Sequence, residues 1–123
     1  MSNQFNENEL ILDLKEYLAK IPAGCLNIAN LLRNNQISEA ANGIVDLSEG
    51  LQWVNSVINY FKTKEIHTSM DEKELIAFLE EINEALAVQD FYLTADLLEY
   101  EMIPYFEKAL ISLKSGENYR ESN

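Results

Sequence analysis

Seven apolar residues near the amino terminus are spaced alternately three and four positions apart, and no other feature constrains the fold as strongly. This spacing places them on one face of a helix and matches the heptad repeat of packed helices. Pro22 and Gly24 interrupt the row, and a proline removes a backbone donor and clashes with the preceding turn. We therefore expect a first helix that is kinked or split near Pro22, and we favour a kinked continuation because the spacing survives. The row consists of Ile11, Leu14, Leu18, Ile21, Cys25, Ile28 and Leu32.

Helices are favoured along the rest of the chain as well. Glycine and proline are scarce, with four and two residues, and apolar residues recur at helical spacing. The segment 33–38, RNNQIS, contains turn-forming asparagines that end the first helix, and Ser38 is expected to begin the second. Ser69 and Glu72 are spaced as a capping box for a third helix, which is expected to end near Val88.

The joints between these helices predict how they pack. Residues 89–90 form a tight joint before a fourth helix that is expected to end near Leu113. Because short joints make consecutive helices antiparallel neighbours, we expect two helical hairpins joined by a longer connection at about 63–70. The sequence therefore predicts an all-α fold, an antiparallel up-down four-helix bundle. A shift of 54 positions aligns only four of 35 residues identically, so we predict a repeated architecture without a sequence repeat.

Two glycines of the second helix, Gly43 and Gly50, are seven positions apart. Each costs about 0.8–1 kcal/mol relative to alanine in a helix interior. We interpret this cost as a sign of close helix approach. The residues expected to be buried in the second helix are Ala41, Ile44, Leu51, Val54, Ile58 and Phe61, and those in the third are Leu75, Phe78, Leu79, Ile82, Ala85 and Leu86.

Length and composition fit one domain in a reducing compartment. With 123 residues and 47% apolar content, we expect a single domain, residues 1–123, whose ends at 1–6 and 115–123 are frayed. The single cysteine, Cys25, excludes an intrachain disulfide. Charges interrupt every apolar stretch and no basic leader precedes one, so we expect an untargeted cytoplasmic protein that does not enter a membrane.

The net charge of −12 is concentrated in one part of the chain. Residues 71–107 carry eleven acidic residues against Lys73 alone. Such a surface repels phosphates, so nucleic-acid binding is not expected. The acidic segment is interpreted either as a solvated face that keeps the protein soluble or as a docking face for a basic partner. Its candidate docking residues are Glu80, Glu81 and Glu84 of the third helix.

The chain lacks the residue patterns of the chemistries that helical bundles host. A di-iron site needs Glu-x-x-His from two helices, but Lys64 stands three positions before the single histidine, His67. We interpret His67 as a loop residue and Cys25 as a core thiol rather than a nucleophile. Glu80 and Glu84 lie one turn apart and are interpreted as solvated surface, because calcium sites gather more oxygens. We expect no catalytic residue, no metal and no cofactor.

The stretch 89–110, QDFYLTADLLEYEMIPYFEKAL, begins a helix that carries two apolar faces when projected at 100° per residue. Either this helix is central in the bundle or one face docks against a partner; we favour docking, most simply as a homodimer. Pro104 can also kink the helix. The expected core seam comprises Phe91, Ala95, Leu98, Met102, Tyr105, Phe106, Ala109 and Leu113. The second apolar stripe, the candidate partner-binding surface, comprises Leu93, Leu97, Tyr100, Pro104 and Ile111.

Glu99 falls at the edge of the core seam in this projection. A carboxylate there is costly unless it is paired or hydrated. Three explanations stay open: a salt bridge to a lysine or arginine of the bundle, an edge position in water, and a functional carboxylate.

The segment 95–104, ADLLEYEMIP, lies in the run D-x-x-x-x-A-D-L-L-E-Y-E-x-x-P that begins at Asp90. This run resembles a family of short, all-helical bacterial proteins from the Gram-positive group, classed as a domain of unknown function. The resemblance covers mainly residues 75–110. It implies a bacterial cytoplasmic helical protein and carries no catalytic role over to this chain.

These observations favour a non-enzymatic protein-interaction module, an adaptor, chaperone-like or regulatory bundle that acts through helix faces. One alternative is an acidic inhibitor or immunity protein that neutralises a basic enzyme with the 71–107 face. Another is a bundle that holds a small molecule or a metal.

Overall fold

The computed structural model describes the backbone of residues 6–122 and the side chains of residues 6–114. No strand occurs in that backbone, and the predicted all-α bundle is confirmed. The first three helices are α1 (Glu7–Arg33), α2 (Ile37–Thr63) and α3 (Glu72–Ala87). The fourth helix consists of α4 (Phe91–Asp96), a π-helical segment (Leu97–Met102) and α5 (Ile103–Ser122).

Helix α1 runs through Pro22 without a break, so the alternative of two split helices is wrong. A proline in a helix interior costs about 3 kcal/mol. Burying one leucine or isoleucine contributes about 1.5–3 kcal/mol, and all seven residues of the heptad row are buried. Burial along the row therefore outweighs the lost hydrogen bond and keeps both halves of the helix on one core.

Side-chain contacts show that α1 and α2 are antiparallel. Glu7, at the start of α1, accepts a hydrogen bond from the Tyr60 hydroxyl near the end of α2, at 3.3 Å. Near the other end of α1, a Cβ built on Gly43 of α2 would lie 2.8 Å from Cγ1 of Ile28. A Cβ on Gly50 would overlap the Tyr17 hydroxyl. The prediction that these glycines permit close helix approach is confirmed.

The second hairpin closes the bundle. Helix α3 is joined to the fourth helix by Val88–Asp90, and at its other end Glu74 accepts a hydrogen bond from Tyr105 of α5. Helix α1 packs against α2 and the fourth helix, and α3 packs against the same two. Within the described part of the chain, α1 and α3 do not contact each other, so the four helices lie in chain order around one core.

Helices α1, α2 and α3 all end in the same capping motif. One residue after each cap has a left-handed backbone: Asn35 with φ 62°, Glu65 with φ 57° and Gln89 with φ 58°. The next N–H reaches back to a carbonyl in the last turn, as in the bond of 2.9 Å from Gln36 to Leu31. This is the Schellman pattern, built here without glycine. Asn35 and Gln89 are 54 positions apart, the shift at which a repeated architecture was predicted.

Two predicted helix starts are wrong. Helix α2 begins at Ile37 after Gln36, whose side chain makes no capping hydrogen bond, and not at Ser38. The capping box at Ser69 does not form, because Asp71 is the cap and its carboxylate accepts from the Lys73 N–H at 3.2 Å. Asp71 directly follows the buried Met70, which anchors the connection to the core.

The core follows the helical pattern with one change of phase. Ala41 is exposed, whereas Ala40 and Leu47 are buried, because α2 presents a slightly different side to α1 than the apolar spacing indicated. Some of the residues predicted to be buried are only partly buried at the rim of the core: Ile44, Phe78, Leu79 and Leu86.

The fourth helix continues beyond the predicted end near Leu113. Its backbone is helical to Ser122, since residues 114–122 contain no proline and a single glycine. The structure does not describe residues 1–5, residue 123 or the side chains of 115–122. The prediction that the ends at 1–6 and 115–123 are frayed therefore concerns mostly residues outside the described part. None of the described helices is both long enough and apolar enough to span a membrane.

Candidate protein-docking surface

The fourth helix changes its winding between Leu97 and Met102. The N–H of Ile103, which follows this π-helical segment, bonds to the carbonyl of Leu98, five residues back. Pro104 comes next, and it supplies no N–H to the Tyr100 carbonyl, against which its ring would clash in a regular α-helix. The wider π turn relieves that clash. Insertions of this kind in α-helices are frequent at functional sites.

Leu97 is buried, with 6% of its surface exposed, and its placement on the partner-binding stripe is wrong. A π turn rotates by less than 100° per residue, so the core-facing sides of α4 and α5 differ in phase. A projection with one uniform angle cannot match both phases, and it therefore misplaces Leu97 at the start of the π-helical segment. Thr94 is missed for the same reason: it is fully buried, and its hydroxyl donates to the Asp90 carbonyl at 2.9 Å.

The other four residues of the stripe lie on the surface, and we call them the outer face of the fourth helix. Leu93 is 46% exposed, Tyr100 65% and Ile111 66%, and Pro104 is also exposed. Single exposed apolar side chains are ordinary on protein surfaces. Here they recur at spacings of seven, four and seven on a helix whose opposite side fills the core. The outer face is therefore a candidate binding surface.

Arg33, in the last turn of α1, connects the bundle to this part of the fourth helix. Its Nη2 donates to Oδ1 of Asp96 at 2.9 Å, and its Nη1 donates to Oε1 of Glu99. Its guanidinium carbon also lies 5.9 Å from the centre of the Tyr100 ring. The hydrogen bond to Glu99, followed by that to Asp96, raises the pKa of Arg33. The guanidinium thus positions Tyr100 together with both carboxylates.

Of the three explanations for Glu99, the salt bridge is confirmed. The Glu99 side chain is 26% exposed, so it borders water as well. Such partly exposed pairs contribute only about 0–1 kcal/mol to stability. The contact therefore matters more for fixing the position of the π-helical segment than for holding the fold.

Most charged residues near the outer face on the fourth helix are acidic, and α3 carries a separate acidic row. The only basic residue between positions 93 and 111 is Lys108, which is exposed. The predicted acidic row of α3 is exposed too, and none of its three glutamates forms an ion pair with a described side chain. The exposed carboxylates include Asp96, Glu101 and Glu107 on the fourth helix and Glu80, Glu81 and Glu84 on α3.

Tyr105 fixes α3 beside the fourth helix. Its hydroxyl accepts from the Asp71 N–H at 3.1 Å and donates to Oε1 of Glu74 at 2.9 Å. Its ring meets Phe78 nearly edge to face, with ring centres 5.1 Å apart. Burial raises the pKa of Tyr105, and the hydrogen bond to Glu74 adds to the increase. Tyr105 thereby holds the first turns of α3 in a fixed place next to α5.

The reactive residue types lie away from this surface. Cys25 is fully buried, and burial raises the pKa of its thiol to about 12. His67 is exposed in the connection between α2 and α3. Among the described side chains, no three His, Cys, Asp or Glu residues are grouped so as to hold a metal ion. What the outer face and its flanks offer a ligand is apolar contact and negative charge.

The fold and this surface define an all-helical bundle with an exposed apolar helix face and acidic flanks. The chain belongs to the family described as Domain of unknown function (DUF8042), whose model matches residues 9–111. The matched range includes α4, the π-helical segment and the whole outer face, up to Ile111. No curated protein and no solved structure matches the chain.

Proposed function

We propose that the protein is a non-enzymatic interaction module, an adaptor, chaperone-like or regulatory bundle, that binds a protein partner through the outer face of the fourth helix. The observation that carries the proposal is the pair of apolar sides on this one helix. A helix at the surface of a bundle usually has a single apolar side, which faces the core. A partner would remove the second side from water, as amphipathic helices do when they bind one another.

Tyr100 is the expected anchor of this interaction. Tyrosine is among the residues that most often dominate binding energy, because it contributes a large area with few rotatable bonds. The guanidinium of Arg33 lies 5.9 Å from the centre of its ring, and a cation–π contact at this distance would restrict the side chain before binding. Restriction in the free protein reduces the entropy that is lost on association.

The acidic row of α3 supports a second candidate function, an inhibitor or immunity protein for a basic enzyme. Its glutamates are exposed and lack ion-pair partners among the described side chains, so their charge is available to a partner. Such a contact would depend on charge and salt more than on the outer face.

We also infer that the protein is bacterial, from the Gram-positive group, and acts in the cytoplasm. This inference is based on the resemblance of the ADLLEYEMIP segment and on the single, buried cysteine.

Affinity capture from the native host tests the proposal when the bait is compared with matched variants. The outer-face variant carries Tyr100→Ser with Ile111→Ser. The control carries Leu12→Ser with Val45→Ser, residues of α1 and α2 that are similarly exposed, at 54% and 56%. A protein that binds the wild type and the control but not the outer-face variant supports the proposal. A partner retained by all three baits refutes it.

A fourth bait with Glu80→Gln, Glu81→Gln and Glu84→Gln separates the two candidate functions. Loss of the partner from this bait alone favours the acidic inhibitor. Loss from the outer-face variant alone favours the interaction module. Circular dichroism of every bait before capture confirms that the bundle is intact.

A further inference from the structure

We infer that the outer face binds an amphipathic helix whose apolar side is flanked by lysine or arginine. The inference rests on the proposed function and adds the chemistry of the partner. It follows from the shape of the surface, from the charges around it, and from the consequences of pairing it with a second copy of the chain.

The shape of the surface favours a helical partner over an extended one. The described backbone contains no strand, so it has no sheet edge to which an extended peptide could add. A partner must therefore make its contacts through side chains. The outer face extends over 18 residue steps, from Leu93 to Ile111. At a rise of 1.5 Å per residue this is about 27 Å, the length of a partner helix of about five turns.

The charges around the outer face favour a basic partner. Asp96, Glu101 and Glu107 are exposed beside it on the same helix, and Lys108 is the only base there. Arg33 offsets part of this charge through its bonds to Asp96 and Glu99. A surplus of negative charge remains, since the fourth helix carries four acidic residues and one lysine between positions 93 and 111. Lysine or arginine at the edges of a partner helix would meet these carboxylates and speed its association.

The same charges argue against a second copy as the occupant. A twofold dimer uses one surface twice, so each outer face would meet another with the same acidic flanks. The surplus of negative charge on one copy would meet the same surplus on the other, and like charges brought together across an interface are unfavourable. A basic amphipathic helix covers the same apolar residues without that repulsion.

Synthetic peptides test the inference on the full-length protein. The probe is an 18-residue peptide of leucine and lysine with its leucines on one helical side. A second peptide has the same composition in shuffled order, and a third replaces each lysine with glutamate. Binding of fluorescently labelled peptides is followed by anisotropy at about 50 and about 300 mM salt. We expect the amphipathic basic peptide to bind at least tenfold more tightly than the other two, and less tightly at the higher salt.

Protein variants locate the site. Tyr100→Ser with Ile111→Ser should weaken binding of the basic amphipathic peptide at least tenfold, whereas Leu12→Ser with Val45→Ser should change it less than twofold. Glu101→Gln with Glu107→Gln should weaken it severalfold. The same loss of charge on α1, Asp13→Asn with Glu16→Gln, should have a smaller effect. Equal weakening by the two charge variants would mean that only net charge matters and would overturn the inference.

Three further results would also overturn the inference. One is equal binding of the shuffled peptide, which would show attraction by charge without recognition of a helix side. Another is a wild-type dimer in light scattering that becomes a monomer in the outer-face variant, which would make a second copy the occupant. The third is failure of the basic peptide to bind while the captured partner still depends on Tyr100, which would leave the proposed function standing with a different partner chemistry.

Discussion

Replacing Gly50 with alanine tests how closely α1 approaches α2, because two effects of opposite sign meet at this position. Alanine has the higher helix propensity and would stabilise an unobstructed helix by about 0.8–1 kcal/mol. A methyl group at Gly50, however, would overlap the hydroxyl and the ring of Tyr17. The ring cannot move freely, since it packs edge to face on Trp53 with ring centres 5.9 Å apart.

Overpacking of this kind costs about 1–3 kcal/mol, and displacing an aromatic pair costs about 0.5–1.5 kcal/mol. We expect these effects to outweigh the gain in propensity, so that Gly50→Ala lowers the free energy of unfolding by about 1–2 kcal/mol. Gly24→Ala is the matched control, because a Cβ at Gly24 of α1 would have no atom within 4 Å. That substitution should raise the free energy of unfolding by about 0.8–1 kcal/mol.

Urea denaturation followed by circular dichroism measures both changes, and Trp53 fluorescence reports the environment of the Tyr17 ring. A double-mutant cycle with Tyr17→Phe removes the atom with the closest approach. Gly50→Ala should then be less destabilising by a measurable fraction of a kcal/mol. If Gly50→Ala stabilised the protein as much as Gly24→Ala does, Tyr17 would not cover Gly50 and the packing argument would be refuted.

Three other predictions follow from burial and backbone geometry. Leu97→Ala should lower the free energy of unfolding by about 2–5 kcal/mol and Leu97→Lys by more, whereas Tyr100→Lys should change it by no more than about 1 kcal/mol. Equal losses of stability in denaturant melts would contradict the phase change at the π-helical segment. Glu65→Gly should raise the free energy of unfolding by about 1 kcal/mol, because glycine adopts the left-handed backbone without strain; a loss of stability would show that the Glu65 side chain matters. Cys25 should resist thiol reagents in native protein at pH 8 and react rapidly in denatured protein. Folding raises the pKa of the Cys25 thiol from 9.0 to about 12. The stability that the buried thiol contributes should therefore be complete below pH 9 and disappear as the pH rises to about 12. A thiol that titrates near pH 9 in native protein would contradict this burial.

Local sequence patterns predicted most of the fold because the interactions that form it are local in sequence. The heptad row from Ile11 to Leu32 places its residues on one helical side whatever lies opposite, and every one of them is buried. The joint at residues 89–90 indicated the second hairpin in the same way. The helix ends were harder to predict, since Glu65 and Gln89 adopt left-handed backbones that are usually marked by glycine.

The candidate site was less predictable, because it depends on contacts between distant segments. Arg33 and Glu99 are 66 positions apart, and nothing in the spacing of either residue selects the other. The projection of the fourth helix correctly indicated two apolar sides. It misplaced Leu97 because the π turn changes the phase between the residues before and after it, so one uniform projection cannot place both sets, and the only signal for that turn was Pro104.

Pro104 therefore connects the sequence to the surface that we propose for binding. A proline placed after the first turns of the fourth helix leaves the Tyr100 carbonyl without its usual partner, and the chain widens into a π turn. The change in rotation lets Leu97 before the turn and Phe106 after it both face the core, while Tyr100 remains outside, beside the guanidinium of Arg33. With Leu97 removed from the outer face, Tyr100 is its largest exposed side chain. Pro104 thus causes the π turn at which the buried Leu97 and the exposed Tyr100, which contacts Arg33, face different sides of the helix.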